Sequence, residues 1–398
     1  MPTGPAVAKP LPGEERVARL PRRVRGALRR AAPALVLYAT ARLVGLAVAA
    51  AVASRTHRPL WITLGDSWDS KWYAGIAQHG YGTTIAGRTP GFTYNDLAFF
   101  PLYPALQRTL ATLIPLHMTV AGLVVAWLSA FAAAWGIYAV GEGLHGRRTG
   151  VALALLWGIL PHAVVESMAY SESLMTALSA WSLYAVLTRR WLWAGALALL
   201  AGLTRPNAVA VAMAVLCAAG LALRRNRHDR RDWRIWASVA LAPLGWLGYV
   251  SWVGSRSGGP LGYFKIQRGW GSRFDFGVSE FRFLKGVFTD RGTPPHLAYY
   301  MGAAVIFVGL AALVLLVLDR PPLPVLAYSI VLVVIAISGS KFYACKPRFL
   351  LPAFPLMLPA AVALARARLR TTAVLLAAIA VVSAAYGAYS LFYADVAP

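Results

Sequence analysis

The chain has 398 residues, of which 58% are hydrophobic and 14% are charged, and its formal net charge is +24. Soluble domains are about 45–50% apolar, so this composition excludes an ordinary soluble protein and indicates a polytopic membrane protein. The arginines cluster beside apolar segments, where the positive-inside rule expects them. We therefore expect a lipid bilayer as a partner and no nucleic acid.

Apolar runs of membrane-spanning length predict an all-α fold with about eleven transmembrane helices. Segment 1–32 is predicted to be a basic cytoplasmic tail, and residues 33–398 to form one integral membrane domain. Loops 54–117 and 254–296 are predicted to be external, and the first of them to carry short interfacial helices. The predicted spans are residues 33–53, 118–140, 149–165, 171–188, 191–204, 206–223, 235–253, 297–318, 323–338, 349–365 and 371–393.

The arginine clusters orient this topology. More than half of the lysines and arginines fall in predicted cytoplasmic segments if the N-terminus is cytoplasmic. An odd number of spans then places the C-terminus outside. We therefore predict a multi-pass plasma-membrane protein whose carboxylate-dependent chemistry takes place on the extracytoplasmic side.

The first external loop contains an unusual polar segment. It reads Gly65-Asp66-Ser67-Trp68-Asp69-Ser70-Lys71-Trp72-Tyr73. Acidic residues beside a bilayer are costly and often functional. If residues 66–77 are helical, Asp66, Asp69 and Tyr73 share one face.

The two tryptophans of this segment suit a membrane interface, where one ring edge is apolar and the other is wet. Trp68 and Trp72 would anchor a surface helix and hold Asp69 near the head groups. In the alternative interpretation, Asp66 is a helix N-cap, Asp69 stabilises the first helical turn, and the tryptophans are an ordinary aromatic belt.

Three groups of motifs, in order along the chain, resemble one known family. Trp68-Asp69-x-x-Trp72-Tyr73, Gly80-Tyr81 and Ala98-Phe99-Phe100-Pro101-x-x-Pro104 are similar to the first luminal loop of PIG-V, the second mannosyltransferase of GPI-anchor assembly, and its bacterial relatives. Pro161 followed by Tyr170-Ser171-Glu172, and then Thr204-Arg205-Pro206-Asn207, resemble two later segments of that family. The resemblance covers roughly residues 35–215. It departs from the eukaryotic pattern at Tyr94-Asn95-Asp96, so the role of Asp96 stays open.

The resemblance implies a GT-C fold and an extracytoplasmic glycosyltransferase with a polyprenyl-phosphate-mannose donor and an inverting mechanism. Its acceptor stays unidentified, and this chemistry requires no cofactor and no metal. A sugar hydroxyl needs a general base, and Asp69 is the candidate. A departing phosphate needs cations, and the candidates are Arg205, Lys346 and Arg348. The predicted substrate-binding residues are Asp66, Trp68, Lys71, Trp72, Tyr73, Glu172 and Asn207.

Each assignment has a structural alternative. Arg205 can be an arginine that snorkels to the interface, and Lys346 and Arg348 can belong to a solvated loop. Glu172 can bind acceptor hydroxyls, neutralise Arg205 or stabilise a helix N-terminus, and Asn207 can simply shape a turn. The second external loop is rich in arginine and aromatic residues, which can cover the site, contact an acceptor head group or anchor the loop at the interface.

A second class of function, a transporter or flippase of lipid-linked sugars, is also polytopic and basic. Transporters often show paired repeats and charged residues inside their spans. This sequence shows no convincing repeat, and its acidic residues gather outside the predicted spans. The pattern favours an enzyme that works at the membrane surface.

Overall fold

The structure is a computed structural model that describes residues 12–87, 92–289, 296–394 and 396–398. These residues form an α-helical protein with one two-stranded antiparallel sheet. The strands are β1 (Thr84–Ala86) and β2 (Thr93–Asn95), paired so that Thr84 lies opposite Asn95. Short 3-10 helices connect several of the α-helices.

The described residues form seventeen α-helices. The first nine are α1 (Pro12–Thr56), α2 (Leu60–Gly65), α3 (Asp69–His79), α4 (Leu102–Leu113), α5 (Met118–His145), α6 (Arg147–Gly158), α7 (Glu172–Leu187), α8 (Trp191–Gly202) and α9 (Val209–Arg225). The remaining eight are α10 (Trp233–Arg256), α11 (Gly262–Gly269), α12 (Val278–Thr289), α13 (Leu297–Asp319), α14 (Leu323–Ser338), α15 (Lys346–Phe349), α16 (Leu358–Arg366) and α17 (Leu369–Phe392).

A helical segment occupies every predicted span, but the count of eleven transmembrane helices is not confirmed. Six helices of the described chain are long and apolar enough to cross a bilayer, or seven if the bent pair Tyr343–Phe349 and Phe354–Arg366 is one span. The 12 residues of α6 and of α8 cover only about 18 Å each, against a hydrocarbon core of about 30 Å. The chain is a multi-pass membrane protein.

The described part of the predicted N-terminal tail is helical, and its cytoplasmic location stays a prediction. Residues 1–11 lie outside the described part of the chain, and residues 12–32 belong to α1, which continues into the first predicted span. This segment is rich in arginine, alanine and leucine, which are strong helix formers.

Small residues let the membrane helices approach closely, as is typical where helices pack within lipid. The contact between α8 and α10 shows this most clearly. A Cβ atom on Gly245 would lie 1.9 Å from the carbonyl oxygen of Leu199, and one on Gly202 would lie 2.6 Å from the nitrogen of Trp246. Both positions therefore require glycine, and the α8–α10 contact fixes the turn that follows α8.

The loop at residues 54–117 is fastened to α10 and to the turn after α8. The hydroxyl of Tyr249 on α10 donates to the carbonyl oxygens of Leu97 and Phe99, at 3.0 and 2.6 Å. The Leu102 nitrogen donates to the Leu203 oxygen at 2.9 Å. These bonds bring the loop that carries Asp69 against the segment that carries Arg205.

Asp96 has a structural role within this loop. Its buried carboxylate accepts hydrogen bonds from the backbone nitrogens of Gly82 and Thr83, at 2.8 and 2.7 Å. A carboxylate that accepts two backbone N–H groups fixes a turn. Asp96 therefore holds the chain between α3 and β1.

Candidate active site

Asp69 is the first residue of α3, at the edge of a large cavity. Trp68 immediately before it has φ 48°, a left-handed conformation that separates α2 from α3. Such a conformation is rare for a bulky residue and is found most often at functional sites. The position at the helix N-terminus favours the negative charge of the Asp69 carboxylate.

The helix predicted over residues 66–77 therefore begins three residues later than expected. Asp66 is the C-cap of α2, so it does not share a helical face with Asp69 and Tyr73, and its interpretation as an N-cap is wrong. The predicted register fails because the left-handed residue Trp68 breaks the helix, and no periodicity in the sequence reveals that break.

Arg348 pairs with Asp69. Its Nη2 atom lies 2.8 Å from Oδ2 of Asp69, and the arginine side chain is only 8% exposed. Its guanidinium group also packs over the ring of Tyr170, 5.1 Å from the ring centroid. Arg348 lies on the one-turn helix α15, in which Pro347 occupies the first turn, where its missing N–H removes no hydrogen bond. The alternative of a solvated loop is wrong for Arg348.

The ion pairs continue from Arg348 to the start of α7. Oε1 of Glu172, the first residue of α7, lies 3.5 Å from Nε of Arg348 and 2.7 Å from Nη1 of Arg205. Nη1 of Arg205 also donates to the Ser171 hydroxyl at 3.2 Å. Glu172 and Arg205 are both buried, which agrees with the expectation that Glu172 neutralises Arg205. Arg205 does not snorkel to solvent.

Tyr73 connects α3 to the same cluster. Its hydroxyl lies 2.6 Å from the Ser171 hydroxyl, and either oxygen can be the donor. Burial raises the pKa of Tyr73 above its usual value. Tyr73 is therefore a neutral hydroxyl at physiological pH, placed between the helix of Asp69 and the helix of Glu172.

Lys346 forms a second buried ion pair, with Glu280 of α12. The lysine side chain is 1% exposed, so it does not belong to a solvated loop. Burial raises the pKa of Glu280, while the adjacent ammonium group of Lys346 opposes that shift. The pair connects α15 at the cavity wall to the loop at residues 254–296.

These side chains surround a cavity of about 790 Å³. Asp69, Arg205, Lys346 and Arg348 form its polar end. The rest of the lining is mainly apolar and aromatic, with residues such as Phe99, Val209, Trp246, Trp270, Leu332 and Ile335. A largely apolar cavity with a few convergent charges is typical of a binding site for a small molecule or lipid.

Several buried polar atoms at this end of the cavity lack a hydrogen-bond partner among the described residues. They are both carboxylate oxygens of Glu172, Nε and Nη1 of Arg348, Oδ1 of Asn207 and the hydroxyl of Tyr170. Arg205 and Arg348 neutralise the charge of the Glu172 carboxylate, but neither of its oxygens accepts a well-aligned hydrogen bond. Unsatisfied buried groups are expensive in a merely structural core. Their concentration here is consistent with ligand binding.

The predicted site residues divide into two groups. Asp69, Tyr73, Arg205, Asn207, Lys346 and Arg348 line the cavity, and Glu172 contacts two of them. The structure does not place Asp66, Trp68, Lys71 and Trp72 in the lining. Lys71 is exposed on the side of α3 away from the cavity residues.

The two tryptophans are half-buried and pack against other side chains of the protein. Trp68 packs on a buried cluster that includes Leu64. Trp72 stacks on Phe99, with ring centroids 5.7 Å apart, and meets the edge of Trp270 at 5.2 Å. Trp72 therefore supports two residues of the cavity lining, while its role as a lipid anchor stays a prediction. Trp270 lies about 200 residues later in the chain, so its contact with Trp72 leaves no local signal.

The loop at residues 254–296 contributes directly to the cavity. Tyr263, Phe264, Arg268, Trp270 and Arg273 line it. The sequence reasoning missed the roles of Glu280, which pairs with Lys346, and of Ser171, which joins Tyr73 to Arg205. An acidic residue inside a basic, aromatic loop was the available signal for Glu280.

The fold has counterparts among solved structures. ArnT from Cupriavidus metallidurans, in a crystal structure bound to undecaprenyl phosphate, superposes with a TM-score of 0.52 at 19% sequence identity over 86% of this chain and 63% of that chain. The chain has the GT-C fold. An Archaeoglobus fulgidus oligosaccharyltransferase, in complex with Zn and sulfate, aligns at a TM-score of 0.49 and 12% identity over 91% of this chain and 54% of that one.

This GT-C chain spans only about half to two thirds of the length of those two proteins. No protein family model matches the sequence, and no curated protein matches it. The structural similarity therefore identifies the fold, and the function must be argued from the residues around the cavity.

Proposed function

We propose that this chain is a membrane glycosyltransferase that moves a mannosyl residue from a polyprenyl-phosphate-mannose donor to an extracytoplasmic acceptor hydroxyl. The observation that carries the proposal is the Asp69 carboxylate, held by a buried arginine beside a mainly apolar cavity of about 790 Å³. ArnT, which shares the fold, was crystallised with undecaprenyl phosphate. The sequence motifs that resemble PIG-V support mannose as the sugar.

Asp69 is the proposed general base. Its Oδ2 atom is engaged by Arg348, whereas Oδ1 has no hydrogen-bond or ion-pair partner among the residues that the structure describes. In the proposed reaction, the acceptor hydroxyl attacks the anomeric carbon and its proton moves to Asp69. The bond from that carbon to the phosphate oxygen breaks, and the polyprenyl phosphate leaves with the electron pair. A single displacement of this kind inverts the anomeric centre.

Arg348 is the best placed of the three candidate phosphate ligands. Its Nη2 atom contacts Asp69 and its Nε atom lies 3.5 Å from Glu172, while Nη1 has no acceptor among the described residues. Through Nη1 it can contact a phosphate without giving up Asp69. Arg205 and Lys346 line the same cavity, each in a close ion pair with a glutamate. We propose that they support the charge that develops on the leaving phosphate.

Glu172 and Asn207 are the proposed contacts for sugar hydroxyls. Glu172 has no well-aligned hydrogen bond, and the amide oxygen of Asn207 is buried and unpaired. Nδ2 of Asn207 donates to the Phe349 oxygen at 3.5 Å, and this bond fixes the orientation of the amide group. Carboxylate and amide oxygens accept hydrogen bonds from hydroxyls.

The test uses the purified protein in liposomes that contain a lipid and glycan extract of cells carrying the gene. Donors are polyprenyl-phosphate mannose, glucose and galactose, each with a radiolabelled sugar. The proposal predicts that label moves from the mannose donor alone into a product that is not a polyprenyl lipid. Transfer from glucose or galactose instead would refute the sugar assignment. Movement of intact donor across the bilayer without product would favour the transporter.

A further inference from the structure

Helix α12 has two chemically different faces. The inner face carries Glu280, which pairs with Lys346, and Phe283, whose ring stacks on Tyr343 at a centroid distance of 4.1 Å. The outer face follows helical spacing and is exposed; its residues are Val278, Phe281, Arg282, Lys285 and Phe288. The outer face therefore combines large apolar side chains with two cations, a composition typical of helices at a membrane interface.

The outer face of α12 is continuous with the lipid-facing surface of α13. The ring centroids of Phe288 and Phe307 lie 6.4 Å apart. Phe307 is 50% exposed and belongs to α13, which is long enough to cross a bilayer. Phe307 lies ten residues after the first residue of α13, about 15 Å along its axis. The end of α12 therefore lies beside a helix surface that lipid must cover.

The turn before α12 also exposes an aromatic ring. Phe276 is 85% exposed, and its backbone has φ 57°, a left-handed conformation that is strained for a bulky residue. Its ring packs against that of Phe274, a residue of the cavity lining, at a centroid distance of 5.0 Å. A phenylalanine exposed to this extent on a strained turn is unfavourable in water and suited to a bilayer surface.

We propose that α12 is an interfacial helix whose Arg282 and Lys285 bind the head groups of anionic phospholipids. The exposed phenylalanines place the helix at the level of the head groups, and the two cations complement negative lipid charge. The opposite face of the same helix holds Glu280 against Lys346, a residue of the cavity wall. Bound anionic lipid would thus be one helix diameter away from the active-site cations.

The test places a fluorescent probe on α12. Thr289, the exposed last residue of the helix, is replaced by cysteine and labelled with bimane in a Cys217→Ala background, where Cys345 is buried. The protein is reconstituted in phosphatidylcholine vesicles that contain equal small fractions of spin-labelled phosphatidylglycerol or spin-labelled phosphatidylcholine. Each cation attracts anionic lipid by about 1 kcal/mol, which enriches phosphatidylglycerol about fivefold near the helix. Quenching by spin-labelled phosphatidylglycerol should therefore be at least about fivefold stronger than quenching by spin-labelled phosphatidylcholine.

The controls separate lipid binding from other effects. The R282Q/K285Q variant should bring the two quenching efficiencies to parity, whereas R366Q/R370Q, which changes two exposed arginines distant in sequence, should keep the preference. Equal quenching by both lipids in the unmodified helix would overturn head-group binding. Quenching by neither lipid would overturn the interfacial position. A preference that survives R282Q/K285Q would overturn the assignment to these two residues.

Discussion

The buried pair of Glu172 and Arg205 gives the sharpest test of how the site is held together. Their charged atoms are 2.7 Å apart, and the side chains are 1% and 9% exposed. At an effective dielectric constant of about 20, the attraction is roughly 6 kcal/mol. Removing one partner of a buried pair costs about 3–5 kcal/mol, because the other charge stays buried without its closest counter-charge. For Glu172, the more distant Arg348 at 3.5 Å compensates only part of that loss. We therefore expect Glu172→Gln and Arg205→Gln each to destabilise the protein by about that amount.

The double variant distinguishes an ion pair from two independent contacts. Two neutral amides in place of the pair restore charge balance, so E172Q/R205Q should cost no more than either single change. The coupling energy is then about 3 kcal/mol, measured as the free energy of unfolding in detergent. The double variant should nevertheless be inactive in sugar transfer, because Arg205 lines the cavity.

A matched control pair lies elsewhere in the chain. Arg189 and Asp229 are also close, at 2.6 Å, but Arg189 is 59% exposed. The corresponding R189Q/D229N cycle should give a coupling energy of at most about 1 kcal/mol. If the two cycles gave equal coupling energies, or if the effects of E172Q and R205Q simply added, Glu172 and Arg205 would not stabilise each other as a buried ion pair.

Three further predictions concern the loop, the helix packing and the cavity wall. Lys71 is exposed, unlike Ser70 beside it, so Lys71→Cys should react with an impermeant reagent from outside; reaction in inverted vesicles alone would reverse the topology. Gly245→Ala should abolish the monodisperse peak in size-exclusion chromatography, while Gly248→Ala, with no atom near its Cβ position, should not; equal behaviour would contradict the close α8–α10 contact. Trp270→Ala should raise KM by about 2–10-fold with little change in kcat, whereas Trp193→Ala on the exposed side of α8 should leave both unchanged.

The sequence was sufficient for the parts of the site that lie in short motifs. Asp69, Glu172 and Arg205 each belong to a motif, and the structure brings them together with Arg348. The break between α8 and α9 was predictable from Pro206, because proline disfavours a helical conformation in the residue before it. The all-helical membrane fold followed from composition and apolar run length.

Long-range contacts set the limit of such prediction. Lys346 and Glu280 are 66 residues apart, and the local pattern around each residue does not identify its partner. The same holds for the Trp72–Trp270 contact, which joins α3 to a residue of the cavity lining. The span count was uncertain for a physical reason: helices of 12 residues are apolar but too short to cross a bilayer alone.

Asp69 as general base is the central claim, and one comparison tests it most directly. Purified Asp69→Asn protein is assayed for transfer from polyprenyl-phosphate mannose and for binding of that donor, beside Asp319→Asn, which changes an exposed aspartate at the end of α13. We predict that Asp69→Asn lowers the transfer rate by about 10²–10⁴-fold with donor binding retained, and that Asp319→Asn changes neither. Transfer by Asp69→Asn at the unmodified rate would contradict the account.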